Sequence, residues 1–353
     1  MTKPLHDLEA HHLPAGDRPI YIMAIETSCD ETSVAIVENG GAIRANVVSS
    51  QIETHQRFGG VVPEVASRKH VESITWILQE AVEEAGIGLG ELSAVAVTQG
   101  PGLVGSLLVG VVAGKALACA LELPLIGVHH IAGHIYANQL EHPLEYPLIA
   151  LVVSGGHTEL VHMEGPGSFR IIGRTRDDAA GEAYDKVARA MGLPYPGGPH
   201  VDRLAQEAEH EIVMPRAWLE PDSYDFSFSG LKSAVLNVVN QSKMRGEALQ
   251  TAQIAKGFQE SVIDVLVEKA SRAVREFGAK QLLLAGGVAA NRGLRSRLAA
   301  RCQELGVPLL VPPLSLCTDN AAMIAAAAFL KWDKREFADL DLKAEPLLKL
   351  EEW

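Results

Sequence analysis

The chain of 353 residues has no Cys-x-x-Cys pair, no densely basic stretch and no apolar run of the roughly 18 to 20 residues that a membrane helix needs. Its four cysteines, Cys29, Cys119, Cys302 and Cys317, are scattered, which argues for free thiols in a reducing compartment and against a disulfide framework. The first 18 residues are polar, carry His6, His11 and His12, and lack the apolar core of a signal peptide. Residues 1–18 read as a flexible N-terminal extension with solvated histidines. A cytoplasmic location without membrane contact is therefore expected. The net charge is −13. Structured RNA is bound largely through phosphate neutralisation by Lys and Arg. An RNA substrate would then be held by a local patch or on a partner's surface.

What is present is an ordinary globular composition, 47% hydrophobic and 21% charged, in a chain long enough for two domains. Residues 20–26, 33–37 and 42–48 read as a strand meander, with Asn39-Gly40-Gly41 as a turn. A helix is expected over residues 63–85, where His70, Ile74, Leu78 and Val82 recur at spacing four and Gly86 closes it. Strand 94–98, helix 105–121, strand 125–128 and a helix from His130 follow. The order then repeats. Strands 147–154, 158–162 and 169–173 precede a helical region from Ala179 and a long helix carrying Ile254, Phe258, Val262 and Leu266. Strand 281–285, helix 291–305, strand 307–311 and helix 318–330 complete the second copy. Alternating strands and helices imply an α/β fold with helix-covered sheets, and two such lobes would meet at a cleft suited to a ligand.

Three kinds of constellation carry chemistry. In Val128-His129-His130-Ile131-Ala132-Gly133-His134, His130 and His134 lie four apart on one helix face, whereas His129 and His134 diverge. Neutral imidazoles at this spacing suit a transition metal, although two make an incomplete site that needs a carboxylate from elsewhere. The alternative is one buried, hydrogen-bonded histidine beside a solvated one. A zinc-protease helix would carry its general base beside the first ligand, and Ile131 and Ala132 stand there instead.

Glycine turns come next. Val152-Val153-Ser154-Gly155-Gly156-His157-Thr158 is strand, turn, strand, and such a turn is either a plain hairpin or a backbone cradle for phosphate. Ala285-Gly286-Gly287 leads to Asn291 at a helix start, as a cap or a ligand contact, and Tyr195-Pro196-Gly197-Gly198-Pro199 precedes another helical stretch. Among the acids, Asp177, Asp178 and Glu182 are accounted for by the dipole of the helix they open. Asp185 lies deeper and is the better ligand candidate, Asp319 is either cap or metal ligand, and Asp30 and Glu31 occupy the first strand turn.

Taken in order, Ile25-Glu26-Thr27-Ser28-Cys29-Asp30-Glu31-Thr32, His130-x-x-x-His134, the Val153–Thr158 turn, Asp177 to Lys186, Tyr195 to Pro199, Gly286 to Asn291 and Thr318-Asp319-Asn320 resemble the TsaD (YgjD) family. Its members are tRNA N6-adenosine threonylcarbamoyltransferases, formerly described as O-sialoglycoprotein endopeptidases. The resemblance implies the actin/Hsp70/sugar-kinase fold, two duplicated ribonuclease-H-like lobes with a central cleft. The lobes would span 19–140, completed by a helix at 318–345, and 146–317. It implies metal ligands at His130, His134 and Asp319, with Asp30 close to the metal as the catalytic candidate. Substrate contacts would fall on Val152, Val153, Ser154, Gly155, Gly156, Asp185, Gly198, Asp202 and Asn291. The implied cofactor is one divalent metal, iron(II), with zinc(II) or magnesium(II) as alternatives.

The implied reaction moves threonylcarbamoyl from threonylcarbamoyl-AMP to N6 of adenosine 37 in tRNAs reading codons that begin with A, and AMP leaves. The implied partners are the tRNA anticodon loop, a TsaB-like paralogue and a TsaE-like ATPase. ATPases of the wider fold place a glycine soon after the first-strand Asp, whereas Asp30-Glu31-Thr32 is bulkier and more acidic, which suits a ligand with one phosphate. An ATP-dependent small-molecule kinase and a metallopeptidase are the competing readings.

Overall fold

The computed structural model describes residues 18–353; the expected N-terminal extension lies, but for Arg18, outside the described residues. The chain divides into two units. One comprises the residues up to Thr54, Val61–Pro143 and Thr318–Trp353; the other comprises His55–Gly60 and Leu144–Cys317.

In chain order the elements are β1 (Tyr21–Glu26), β2 (Glu31–Glu38), β3 (Ala42–Ser50), α1 (Ile52–Gln56), α2 (Pro63–Ala85), β4 (Ala94–Gly100), α3 (Val104–Leu121), β5 (Leu125–His129) and α4 (His130–Tyr136). Then come β6 (Leu148–Val153), β7 (Thr158–Met163), β8 (Arg170–Arg174), α5 (Ala180–Ala190), α6 (Gly197–Glu207), α7 (Ser229–Arg245) and α8 (Thr251–Glu276). The last are β9 (Gln281–Ala285), α9 (Arg292–Leu305), β10 (Leu309–Leu310) and α10 (Ala321–Lys334). The first sheet has the order β3-β2-β1-β4-β5 and the second β8-β7-β6-β9-β10. In each, the first three strands are antiparallel and the last two run parallel to the first. The repeat read from element order is thus a repeat of sheet topology.

Central strands are apolar throughout because both of their faces are covered. Residues 22–26 of β1 and all of β6 and β9 are buried. Helix α2 has Pro63 in its first turn and ends on Gly86 at φ 66. Its buried stripe is Ala66, His70, Ile74, Ile77 and Ala81, whereas Leu78 and Val82 are only partly buried. The stripe slips back one residue after Ile74, as a 3.6-residue period requires.

Three expectations need correction. Strand β10 covers only Leu309–Leu310, because Pro308, Pro312 and Pro313 bracket it and offer no N–H to a ladder. Helix α10 stops at Lys334, where Arg335 turns left-handed at φ 58, so no helix runs to residue 345. Helix α3 is 18 residues long with mean hydropathy 2.0, enough by length and composition for a membrane span despite Lys115. Within the fold it lies on β4 and β1: a Cβ on Gly114 would come 2.1 Å from Val97, and one on Gly110 would come 2.5 Å from Thr27.

Helix α7 was not anticipated. Its buried residues Leu231, Val235 and Val239 recur at spacing four, with Ala234 and Val238 packed beside them. Its start is held by Asp177, which accepts from Phe228 N at 2.8 Å and from Ser227 Oγ at 2.5 Å. Asp177 therefore serves α7 and not the helix that follows it in sequence.

The segment after α10 is a strap along β4 and β5. Ala338 N donates to Leu125 O, Glu345 N to Gln99 O and the Trp353 indole to Gly127 O, each at 2.8 Å. Its close approach depends on Gly100, where a Cβ would lie 1.9 Å from the Glu345 carbonyl oxygen. Gly100→Ala is expected to destabilise the protein by about 1–3 kcal/mol through overpacking against backbone. A urea unfolding midpoint equal to wild type would contradict this account of the strap.

Candidate functional site

Strand β5 ends at His129 and α4 begins at His130, so three histidines crowd one strand-to-helix junction with different tasks. His129 caps the helix: its Nδ1 accepts from Ile131 N at 3.1 Å, which leaves Nε2–H to donate to Leu348 O of the strap at 3.1 Å. His130 and His134 are both buried, one turn apart, with ring centroids 4.7 Å apart and planes at 81°. A glycine between them permits the fit: a Cβ on Gly133 would sit 2.8 Å from Ile324 of α10.

The carboxylate expected from elsewhere arrives just before α10. Asp319 Oδ1 is 3.1 Å from His134 Nε2 and 3.5 Å from His130 Nε2. Ligand atoms of the three residues all fall within 4.8 Å of one another. The cap role that competed for Asp319 belongs to its neighbour, since Asn320 Oδ1 accepts from Met323 N at 3.0 Å. Two imidazoles and a carboxylate are a donor set for a divalent transition metal, and the buried His134 Nδ1 has no hydrogen-bond partner among the described residues.

Glu26 was quoted in the first-strand motif without a role. It is fully buried at the end of β1. One oxygen accepts from Ser28 N at 2.5 Å, and the other accepts from Thr98 Oγ1 at 2.5 Å and lies 3.2 Å from His130 Nδ1. Ser28 Oγ is also 3.1 Å from that nitrogen. Burial opposes a charge on His130, yet Asp319 and Glu26 outweigh it and push its pKa up to about 9. Burial likewise opposes a charged Glu26, which His130 and Ser28 nevertheless hold below the usual carboxylate range. The sequence did carry a signal: a glutamate closing an otherwise apolar central strand needs a buried partner.

Asp30 is buried in the turn between β1 and β2. The next residue, Glu31, is pushed well above the carboxylate range by burial, then by Asp30 and Asp319, with Ser50 Oγ donating to it at 3.2 Å.

The other candidate residues lie in the second unit. Val152 and Val153 end β6 in full burial, while Gly155 and Gly156 are exposed with open space where a side chain would be. Ser154 closes the turn, its Oγ accepting from His157 N at 3.0 Å. Gly286, at φ 88, brings the end of β9 against β6: a Cβ there would be 2.5 Å from Val153 O. Asn291 is the cap of α9, accepting from Leu294 N at 2.8 Å, and its Nδ2 donates to Gln259 Oε1 at 2.8 Å. Gln259 in turn donates to Asp202 at 3.0 Å, and Tyr184 joins the same buried network. Asp185 accepts from Gly197 N at 2.7 Å at the start of α6, beside half-buried Gly198, and lines a cavity of about 130 Å³ with Arg189 and Tyr195.

With this geometry in view, comparison with known proteins is specific. The family profile described as TsaD: tRNA N6-adenosine threonylcarbamoyltransferase matches residues 42–326. A tRNA N6-adenosine threonylcarbamoyltransferase of Halalkalibacterium halodurans is 64% identical over 330 residues, 94% of this chain and 96% of its own length. One from Geobacillus thermodenitrificans is 64% identical over 332 residues, 94% of this chain and 97% of its own. Among solved structures, full-length HypF in its phosphate- and nucleotide-bound form is similar at TM-score 0.61 and 16% identity, covering 93% of this chain and 48% of HypF. Component A of the Acidaminococcus fermentans (R)-2-hydroxyglutaryl-CoA dehydratase is similar at TM-score 0.54 and 17% identity, covering 89% of this chain and 98% of that one. At such identities these structures speak for the fold alone, the actin/Hsp70/sugar-kinase type. Matched over four-fifths of its length by the profile and over nearly all of it by relatives of one name, the chain belongs to the tRNA N6-adenosine threonylcarbamoyltransferase family.

Proposed function

We infer that the protein transfers a threonylcarbamoyl group to N6 of an adenosine in tRNA. The observation that carries this reading is 64% identity over 94% of the chain to enzymes of that name, in a chain whose His130, His134 and Asp319 stand together. The kinase and metallopeptidase readings gain nothing from these relatives and are set aside. The donor is threonylcarbamoyl-AMP and the acceptor is adenosine 37 in the anticodon loop of tRNAs reading codons that begin with A.

His130, His134 and Asp319 would hold one divalent metal, iron(II) in this proposal with zinc(II) or magnesium(II) as alternatives. When bound, the metal supplies Lewis-acid polarisation of a carbonyl. The open glycine turn at Ser154, Gly155 and Gly156, with Val152 and Val153 behind it, suits the donor's phosphate. Asp185, Gly198, Asp202 and Asn291 suit its adenosine, acids and amides being partners for ribose hydroxyls. The exocyclic amine attacks the carbamoyl carbon, AMP leaves, and the amine loses a proton. Of the two acids at the first strand turn, Asp30 is the catalytic candidate that the resemblance implies, and Glu31 beside it is held well above the usual carboxylate range by burial.

A net charge of −13 supports the view that tRNA docking needs partners, a TsaB-like paralogue and a TsaE-like ATPase, in the cytoplasm. Helix α3 offers a stripe for the paralogue, with Val104, Leu108 and Val112 exposed at spacing four.

Two outcomes are expected. With threonylcarbamoyl-AMP, unmodified tRNA and the partner proteins, mass spectrometry of digested tRNA should find threonylcarbamoyladenosine. His130→Ala with His134→Ala should reduce its yield at least about 100-fold, taking the upper effect of disturbing a metal ligand shell as a floor. Undiminished product would remove the metal role, and no product from wild type would remove the function.

Zinc affinity, measured by chelator competition, should rise by about tenfold per pH unit between pH 6.5 and 8.5, because His130 must shed a proton that it holds up to about 9. In the metal-free protein the sign reverses. The stability due to charged His130 is complete below its unfolded pKa and is lost as pH rises through about 9. A flat affinity profile would contradict the assignment.

A further inference from the structure

We propose that Glu26 is a positioning residue for the metal centre: its carboxylate accepts the Nδ1 proton of His130 and so commits Nε2 to the metal. The inference rests on the metal reading above, and it concerns a residue to which neither the motif nor the fold type assigned a task.

The two ring nitrogens of His130 face different surroundings. Nδ1 lies 3.2 Å from Glu26 Oε2 and 3.1 Å from Ser28 Oγ, while Nε2 lies 3.5 Å from Asp319 Oδ1. An imidazole that ligates a metal must be neutral, so one nitrogen keeps a proton and the other presents a lone pair. A carboxylate at 3.2 Å from Nδ1 decides which, because an anionic oxygen there accepts and cannot donate. Glu26 itself has no freedom to turn away. Ser28 N and Thr98 Oγ1 hold its two oxygens, and the side chain is fully buried. Charge also favours this arrangement, since a fixed anion behind the ring makes the Nε2 lone pair more basic.

The second histidine provides the contrast. His134 presents Nε2 to the same Asp319 oxygen at 3.1 Å, but its Nδ1 is buried without a hydrogen-bond partner among the described residues. The tautomer of His134 is therefore not imposed from behind; its ring is placed by packing in α4 and by the edge contact with His130. Of the two imidazoles, His130 is the one whose proton is assigned by a neighbour, and Glu26 is that neighbour.

Glu26→Gln separates these effects. Glutamine keeps the shape, and with its oxygen accepting from Ser28 N its amide nitrogen takes the place that faces Thr98 Oγ1 and His130 Nδ1, where it cannot accept but can donate to Nδ1 and so favour the tautomer that blocks Nε2. Zinc affinity, by competition with a chromophoric chelator, should fall by about 10–100-fold in this variant, with a circular dichroism spectrum near that of wild type. Affinity equal to wild type would overturn the proposal. Should the variant fail to fold, long-range proton–nitrogen spectra of histidine-labelled, zinc-loaded wild type give an independent answer. They should show His130 protonated at Nδ1 and bound through Nε2; binding through Nδ1 would overturn the proposal. Zinc binding absent from wild type would remove the metal reading and this inference together, whereas wild-type binding unaffected by Glu26→Gln removes this inference alone.

Discussion

A carboxylate with no exposure to water must find its whole hydrogen-bond complement inside the protein, and Glu26 does so by tying three elements to one point. Ser28 holds one oxygen from the turn after β1, Thr98 holds the other from β4, and His130 approaches from the start of α4. Taking away His130, the charged partner, leaves a buried charge uncompensated, a costly change of roughly 3–5 kcal/mol. The ends of β1 and β4 and the first residue of α4 are therefore held in mutual register by electrostatics and not by apolar packing alone. The remaining ligand geometry follows from there. With His130 fixed, the helical period places His134 one turn on, and Gly133 lets α10 come close enough for Asp319 to reach both rings.

The same sheet is built twice with different chemistry at equivalent places. After β1 the chain turns through Thr27, Ser28, Cys29 and Asp30; after β6 it turns through Ser154, Gly155, Gly156 and His157. The first turn is buried and acidic, with Cys29 and Glu31 both pushed toward their protonated forms. The second is open, and its two glycines leave room for a ligand to meet backbone N–H groups. The two copies share a scaffold, and they differ in the chemistry of the loop after the first strand.

What could be read from the sequence was what depends on short range. The bounds of α2 follow from Pro63 and Gly86, and the histidine pair follows from a separation of four on one helix. The third candidate ligand was ambiguous because Asp319 and Asn320 are both plausible caps; only the fold shows that Asn320 caps the helix while Asp319 faces His134. Glu26 and His130 are 104 positions apart, so no pattern along the chain relates them. Helix α7 escaped because its start is capped by Asp177, about 50 residues earlier, so no local signal marks it. Asn291 was left open between cap and ligand contact, and it performs the cap with one atom while its amide enters a buried network with Gln259 and Tyr184.

His129 shows how far the demands of the site reach along the chain. Spacing excluded it as a metal ligand, and its actual work is to join two things that the sequence leaves unrelated. Through Nδ1 it caps α4, and through Nε2 it holds Leu348, 219 positions away. A neutral imidazole accepts at one ring nitrogen and donates at the other across a rigid ring, so one side chain serves both contacts. The strap after α10 lies beyond the residues that the family profile matches, yet it bears on the first turn of α4 through this one ring. Because β5 passes into α4 without a loop, the ring that holds the strap stands one residue before His130.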